Sequence, residues 1–212
     1  MTPPAAGMAG EPFDIAEFRR HMRLADSRDD ARLTDCIKAA RHHAEQITGR
    51  AIARQKYLWT MPTFPGQTIV DVLGPFPGFV NNPVPSYSWS NYQIKVPRPT
   101  LVSIDKLQYV DPVSGALVDL LATTGYVLDT SSLQAILTPP ADGIWPPTQA
   151  STQGVQIQFT AGYSAAQLVG EPNLVLAIKL KAESIFDGHT DPAFDSVIET
   201  YLAPYLVGGF AE

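Results

Sequence analysis

The stretch Ser27–Gly49, SRDDARLTDCIKAARHHAEQITG, decides the fold. Apolar residues fall at Leu33, Ile37, Ala40, Ala44 and Ile47, a spacing of four, three, four and three that lays one apolar stripe along an α-helix. Ser27 is placed to cap the first turn, and Asp29 and Asp30 lie where the helix dipole favours negative charge. Gly49 is a natural left-handed stop. A helix is therefore expected over residues 28–48. It has only one apolar side, so it needs a partner surface from the β-rich middle of the chain or from the C-terminal helices.

Toward the N-terminus, residues 14–25 predict a short amphipathic helix, with Asp14 as cap and Glu17 completing a box-like pair. Ile15, Phe18, Met22 and Ala25 share its apolar face, and Arg19, Arg20 and Arg23 read as a solvated face. Residues 1–12 lack the basic start and apolar core of a secretion signal and read as a flexible lead-in.

After Gly49 the period changes to two. Gln55–Met61 alternates, with Tyr57, Trp59 and Met61 on one side, and a β module is expected over residues 55–162. Further strands are expected at Thr68–Leu73, Tyr92–Val96 and Leu101–Val110, with a hairpin from Tyr126–Asp129 and Gln134–Thr138. Gly154–Ala161 is the cleanest strand, with Val155, Ile157, Phe159 and Ala161 facing inward. Within the long loop at 63–92, Gly74–Asn91 is rich in proline, which denies ladder hydrogen bonds. Phe76, Phe79, Tyr87 and Trp89 make it adhesive, and it reads either as a binding excursion or as aromatics folded back on their own sheet. Pro172 then opens a helix over 173–186 with Leu174, Ile178, Ala182 and Ile185 in register, and a last helix follows over 192–202. Residues 203–212, APYLVGGFAE, form an apolar, glycine-containing tail. The fold class expected is α+β: one domain over 13–202, a bundle of N- and C-terminal helices with an inserted antiparallel β module.

A chain of 212 residues with 45% hydrophobic content has material for a proper core, and its 17% charged fraction is low for a soluble domain. That combination, with 19 prolines and 15 glycines, fits a globular domain with long ordered excursions or a subunit that hides surface in an assembly. No apolar run is long enough to span a membrane. The net charge of -6 argues against wrapping nucleic acid, which needs clustered Lys and Arg. The single cysteine, Cys36, excludes an internal disulfide and reads as a buried, inert thiol beside the helix stripe.

Candidate chemistry is sparse. His42, His43 and Glu45 sit together on the main helix, but zinc wants further ligands that the sequence does not supply, so they read as solvated residues with Arg41 and Glu45 as an i,i+4 pair. Asp187, His189 and Asp191 share one loop, where capping and turn formation account for them. The chain has no nucleophile elbow, Walker loop or dinucleotide fingerprint. Catalysis is not expected. A β-rich ligand-binding module with Trp59, Trp89 and Trp145 as stacking residues is the alternative from another class.

The order of the parts resembles the bacteriophage head–tail connector, or adaptor, family. AARHHAEQITGRAI (Ala39–Ile52) is similar to that family's ArxxaExxTGRxL signature and leads directly into a strand. IKVPRPTLVSIDKLQYVDPVSG (Ile94–Gly115), GYVLDTSSLQAILTPP (Gly125–Pro140), IWPPT (Ile144–Thr148) and VQIQFTAGY (Val155–Tyr163) resemble its later strands, and Pro172–Phe186 takes the place of its long helix. The likeness runs over about residues 28 to 206, with a longer Phe64–Tyr92 stretch than the family usually has. The resemblance implies an architectural role with no cofactor. It implies a ring, typically dodecameric, beneath the portal protein of a virion assembled in the host cytoplasm. Such a ring extends the DNA channel and presents a platform to a stopper or tail-completion protein. DNA would pass without specific binding, repelled by like charge. Two surfaces are then expected to bind. The tail, with Tyr205, Leu206, Val207 and Phe210, would be mobile when free and order against the portal or a neighbour. The loop carrying Phe76, Phe79, Tyr87 and Trp89 would meet a neighbouring subunit or the tail-side partner.

Overall fold

The structure is a computed structural model, and it describes residues 11–66, 92–140, 143–188 and 191–207. It has the expected α+β composition, and the chain divides into two compact units. A helical unit takes residues 11–55, 98–100 and 161–207, and a sheet unit takes 56–97 and 101–160.

In the helical unit, α1 (Ile15–His21) starts on the Asp14 side chain, which accepts from the Glu17 N–H at 2.6 Å. The capping box is not closed, because the Glu17 carboxylate turns to Lys179 instead. The helix also ends earlier than its periodicity suggests. Arg23 takes a left-handed φ of 57°, which lets the Leu24 N–H reach back to the Arg19 carbonyl at 3.0 Å. The second helix, α2 (Asp30–Thr48), buries Leu33, Ile37, Ala40 and Ala44, the stripe legible in the sequence. Ser27 is not its cap: the Asp30 N–H bonds the Ser27 carbonyl in a preceding turn, and Asp29 holds the cap position.

Among the described residues three further helices close the unit. The short α3 (Ala165–Val169) carries a capping box between Ser164 and Gln167, a signal left unread in the sequence. Helix α4 (Pro172–Asp187) buries Leu174, Ala177, Ile178 and Ala182, whereas Ile185, expected in the same register, is exposed at the last turn. Helix α5 (Pro192–Leu202) has its predicted bounds, and Asp191 caps it by accepting from the Ala193 N–H at 2.9 Å. The side chains of Phe18, Leu33, Ile37, Leu174, Ile178, Ile198 and Leu202 meet in one core. Burying each contributes about 1.5–3 kcal/mol.

Among the described residues the sheet unit carries seven strands: β1 (Gln55–Met61), β2 (Ile94–Lys95), β3 (Leu101–Val110), β4 (Leu117–Asp119), β5 (Val127–Asp129), β6 (Ile136–Thr138) and β7 (Val155–Ala161). They form a four-stranded sheet in the order β1-β7-β3-β4 and a three-stranded sheet in the order β2-β6-β5. The predicted hairpin is present as the antiparallel β5–β6 pair, with Leu128 opposite Leu137. Strand β4, absent from the sequence reading, pairs with β3 through the Asp111–Gly115 turn. β7 alternates as expected, burying Val155, Ile157, Phe159 and Ala161. The strand expected at Tyr92–Val96 shrinks to two residues, and the one expected at Thr68–Leu73 lies outside the described residues.

Aromatic packing organises this unit. The rings of Phe64 and Trp145 stack at 4.6 Å with an interplanar angle of 4°, and those of Tyr57 and Phe159 stack at 5.3 Å. Trp145 is 2% exposed and its indole Nε1 donates to the Tyr92 carbonyl at 2.7 Å. It is a core residue, so it does not offer a stacking face to a ligand.

Candidate functional site

The polar groups of the helical unit converge where α2 ends. An acid in the last turn of a helix is disfavoured by the dipole unless another partner compensates it. Glu45 has such partners. It is 5% exposed, its Oε1 accepts from the Ile52 and Ala53 N–H groups at 2.9 and 3.1 Å, and its Oε2 pairs with Arg41 Nη1 at 3.1 Å. The expectation that Glu45 is a solvated helix residue is therefore corrected: its side chain satisfies backbone donors that leave the helix. The Arg41–Glu45 pair is present as expected, and Arg41 also reaches Glu11 at 3.0 Å.

Thr48, Gly49 and Arg50 each add a connection. Thr48 Oγ1 donates to the Ala44 carbonyl at 2.7 Å and accepts from the Arg50 N–H at 3.3 Å. Gly49 takes φ 71° and returns its N–H to the Glu45 carbonyl at 3.1 Å. Arg50, 9% exposed, donates from Nε to the Tyr205 carbonyl at 2.7 Å and from Nη1 to the Tyr163 hydroxyl at 2.8 Å. Arg98 Nη1 donates to the Glu45 carbonyl at 3.0 Å, so its guanidinium serves the negative end of α2. Thr100 Oγ1 donates to the Ala51 carbonyl at 2.9 Å, and its own carbonyl receives the Gly162 N–H at 3.0 Å. Arg98 and Thr100 hold left-handed φ values of 61° and 76°, unfavourable for a β-branched threonine and imposed here by those bonds.

The C-terminal residues complete the junction. Ala203–Tyr205 forms one 3-10 turn, and the Val207 N–H donates to the Thr48 carbonyl at 3.0 Å. Tyr205 is 8% exposed, and its hydroxyl meets the Glu171 carboxylate and the Leu174 N–H at the start of α4. Burial, and then Glu171, raises the Tyr205 phenol above its ordinary value. Within the tail, Tyr205 and Val207 are hydrogen-bonded to Arg50 and Thr48 at the end of α2. Of the predicted tail contacts that are described, Tyr205, Leu206 and Val207, Leu206 is the exposed one, at 49%. Phe210 and the loop residues Phe76, Phe79, Tyr87 and Trp89 lie outside the described residues.

The other candidates do not assemble. His42 is exposed beside Gln46, and His43 is half-buried, its imidazole shifted downward by burial and then by Lys181. Among the described residues no three His, Cys, Asp or Glu side chains are placed to hold a metal. His189 lies outside the described residues, and Asp191 acts as a helix cap. Cys36 is buried, and burial pushes its thiol up despite Arg32 nearby. A groove of about 360 Å³ beside α1 is lined by Pro12, Glu17, His21, Leu168, Val169 and Lys179, with its charges already paired. No described helix is long and apolar enough to cross a membrane.

The chain matches no protein-family model and no curated protein. Its fold does match solved structures. A chain from the neck of an empty gene transfer agent particle, computed with C6 symmetry, superposes with a TM-score of 0.67 at 19% identity, covering 100% of this chain and 99% of that one. One from the neck of the native particle, computed with C12 symmetry, gives 0.64 at 19% identity with the same coverage. One from the virion of the native gene transfer agent gives 0.61 at 20%, covering 98% and 96%. The fold, along essentially its whole length, is that of chains built into the necks of gene transfer agent particles.

Proposed function

We propose that this chain is a structural component of the neck of a tailed-phage-like particle, and within the neck the head–tail adaptor: a ring subunit that docks on the portal, extends the DNA channel and seats the stopper or tail. The observation that carries this reading is the end-to-end likeness to neck chains, 100% of this chain against 99% of the other, with both units included. The C6 and C12 symmetries of those necks accord with a ring of copies. Such a ring needs two different patches on each copy that meet head to tail. A net charge of -6 suits a wall past which DNA slides. The junction described above braces the fold with polar groups bonded to one another, and we assign the protein no catalytic step and no cofactor.

The test is purification of particles from the source, followed by mass spectrometry and electron microscopy of the junction between DNA container and tail. Ring-stoichiometric amounts of the chain directly beneath the portal are expected. Its presence in the neck, but bound only to tail-side components, would make it a stopper or tail-completion subunit. Its absence from the junction would end the reading.

A further inference from the structure

We propose that Arg50 is a positioning residue that clamps Ala203–Val207 to the end of α2 and thereby fixes where this strap, with its exposed Leu206, is presented on the subunit. This rests on the neck reading, in which every copy in a ring must present the same segment at the same place.

The geometry is a two-sided tie around a single turn. On one side of Gly49, the Thr48 carbonyl accepts the Val207 N–H at 3.0 Å. On the other, Arg50 Nε donates to the Tyr205 carbonyl at 2.7 Å. The same guanidinium lies 5.3 Å from the Tyr205 ring centroid and is held from behind by the Tyr163 hydroxyl at 2.8 Å. One planar, always-charged group therefore reads both the backbone and the ring of a residue 155 positions away. The position where Gly49 would carry a Cβ is 3.6 Å from the Val207 side chain, so the strap lies directly on the turn. Between its two tied residues the strap shows one exposed apolar side chain, Leu206.

A segment left free would have to be ordered when a partner binds, at a cost in conformational entropy for each residue. A clamped strap has met that cost beforehand. Preorganisation of this kind raises affinity without adding a contact. An apolar side chain at position 50 could fill the same space, but it could not direct the Tyr205 carbonyl.

The experiment compares the full-length wild type with Arg50→Met, which keeps length without charge, and Arg50→Lys, which keeps charge without the fork. Hydrogen exchange is followed by mass spectrometry in peptides covering 203–207, α2 and α4, and each variant is then scored for incorporation into particles. In Arg50→Met, exchange at Leu206 and Val207 should rise at least about tenfold, the size expected for losing a charge-assisted hydrogen bond, while α2 and α4 keep their protection. Arg50→Lys should fall between. Incorporation should drop with the strap's protection although the variants remain folded.

Unchanged exchange in Arg50→Met overturns the clamp. If that variant does not fold, the wild type decides: a Val207 amide exchanging at the unprotected rate overturns the clamp, and a protected one supports it. A loosened strap with undiminished incorporation overturns the positioning role. Absence of the wild type itself from the particles would instead defeat the neck reading and leave the clamp standing.

Discussion

Glu45 shows at the scale of one residue how a carboxylate can hold a turn in place. Two backbone N–H groups, of Ile52 and Ala53, point at one of its oxygens in a buried setting. Removing the acceptor leaves both donors unpaired, and each unsatisfied buried donor costs about 1–3 kcal/mol. Glu45→Ala should therefore destabilise the protein by about 3 kcal/mol in urea unfolding. Glu45→Gln keeps an oxygen in place for both donors and loses only the charge and the full strength of the Arg41 pair, so less than half that loss is expected. Equal losses in the two variants would show that the charge, rather than the acceptor geometry, carries the contribution. The sequence held a signal for this role that went unread. An acid at the C-terminal end of a helix, four residues before a glycine stop, opposes the dipole and needs a local reason to be there.

At the scale of elements, one-sided burial was legible and long-range polar pairing was not. The bounds of α2, α4 and α5 and the alternation of β7 came through because a single apolar face imposes its own period, 3.6 or 2. The early end of α1 came from a left-handed arginine with no sequence mark, and β4 was missed because its three residues are all exposed and carry no pattern. Arg50, Tyr163 and Tyr205 are brought together across more than a hundred residues, which no local window can see. The two left-handed glycines of the junction separate conformation from space. Gly49→Ala meets Val207 at 3.6 Å, an ordinary contact, so only the left-handed backbone is penalised, by about 1–2 kcal/mol. Gly162 has φ 131°, and a Cβ there would sit 2.4 Å from the Ala53 oxygen and the Arg54 Cα, both backbone atoms that cannot turn aside. Gly162→Ala should cost about 3 kcal/mol or more, seen as a thermal midpoint well below that of Gly49→Ala. Similar midpoints for the two variants would mean that the junction relaxes freely, contrary to the network drawn here.

At the scale of the whole molecule, the chain order and the physical units disagree. The helical unit is made from the two ends of the chain, and the core side chains from Phe13 to Ile52 and from Tyr163 to Tyr205 all lie outside Lys56–Thr160. Its two internal ends are close: the Tyr163 N–H donates to the Ile52 carbonyl at 3.0 Å, and Gly162 lies against Ala53 and Arg54. A chain in which Gln55 is joined to Ala161 by a short Gly-Ser linker should therefore fold, since closing a short loop between near neighbours costs little. What it loses is the Arg98–Thr100 segment, with the bonds from Arg98 to Glu45, from Thr100 to Ala51 and from Gly162 to Thr100. At about 1 kcal/mol each, these amount to a loss of about 3 kcal/mol, so the excised unit should melt lower than its parent but in one cooperative step. Circular dichroism should show helix together with ordered aromatic signals from Tyr163 and Tyr205. A product with helical content but no fixed aromatic environment, and with strong dye binding, would be a molten state. That result would show that the helices depend on the sheet module for their packing, and that the division into two units is one of geometry alone.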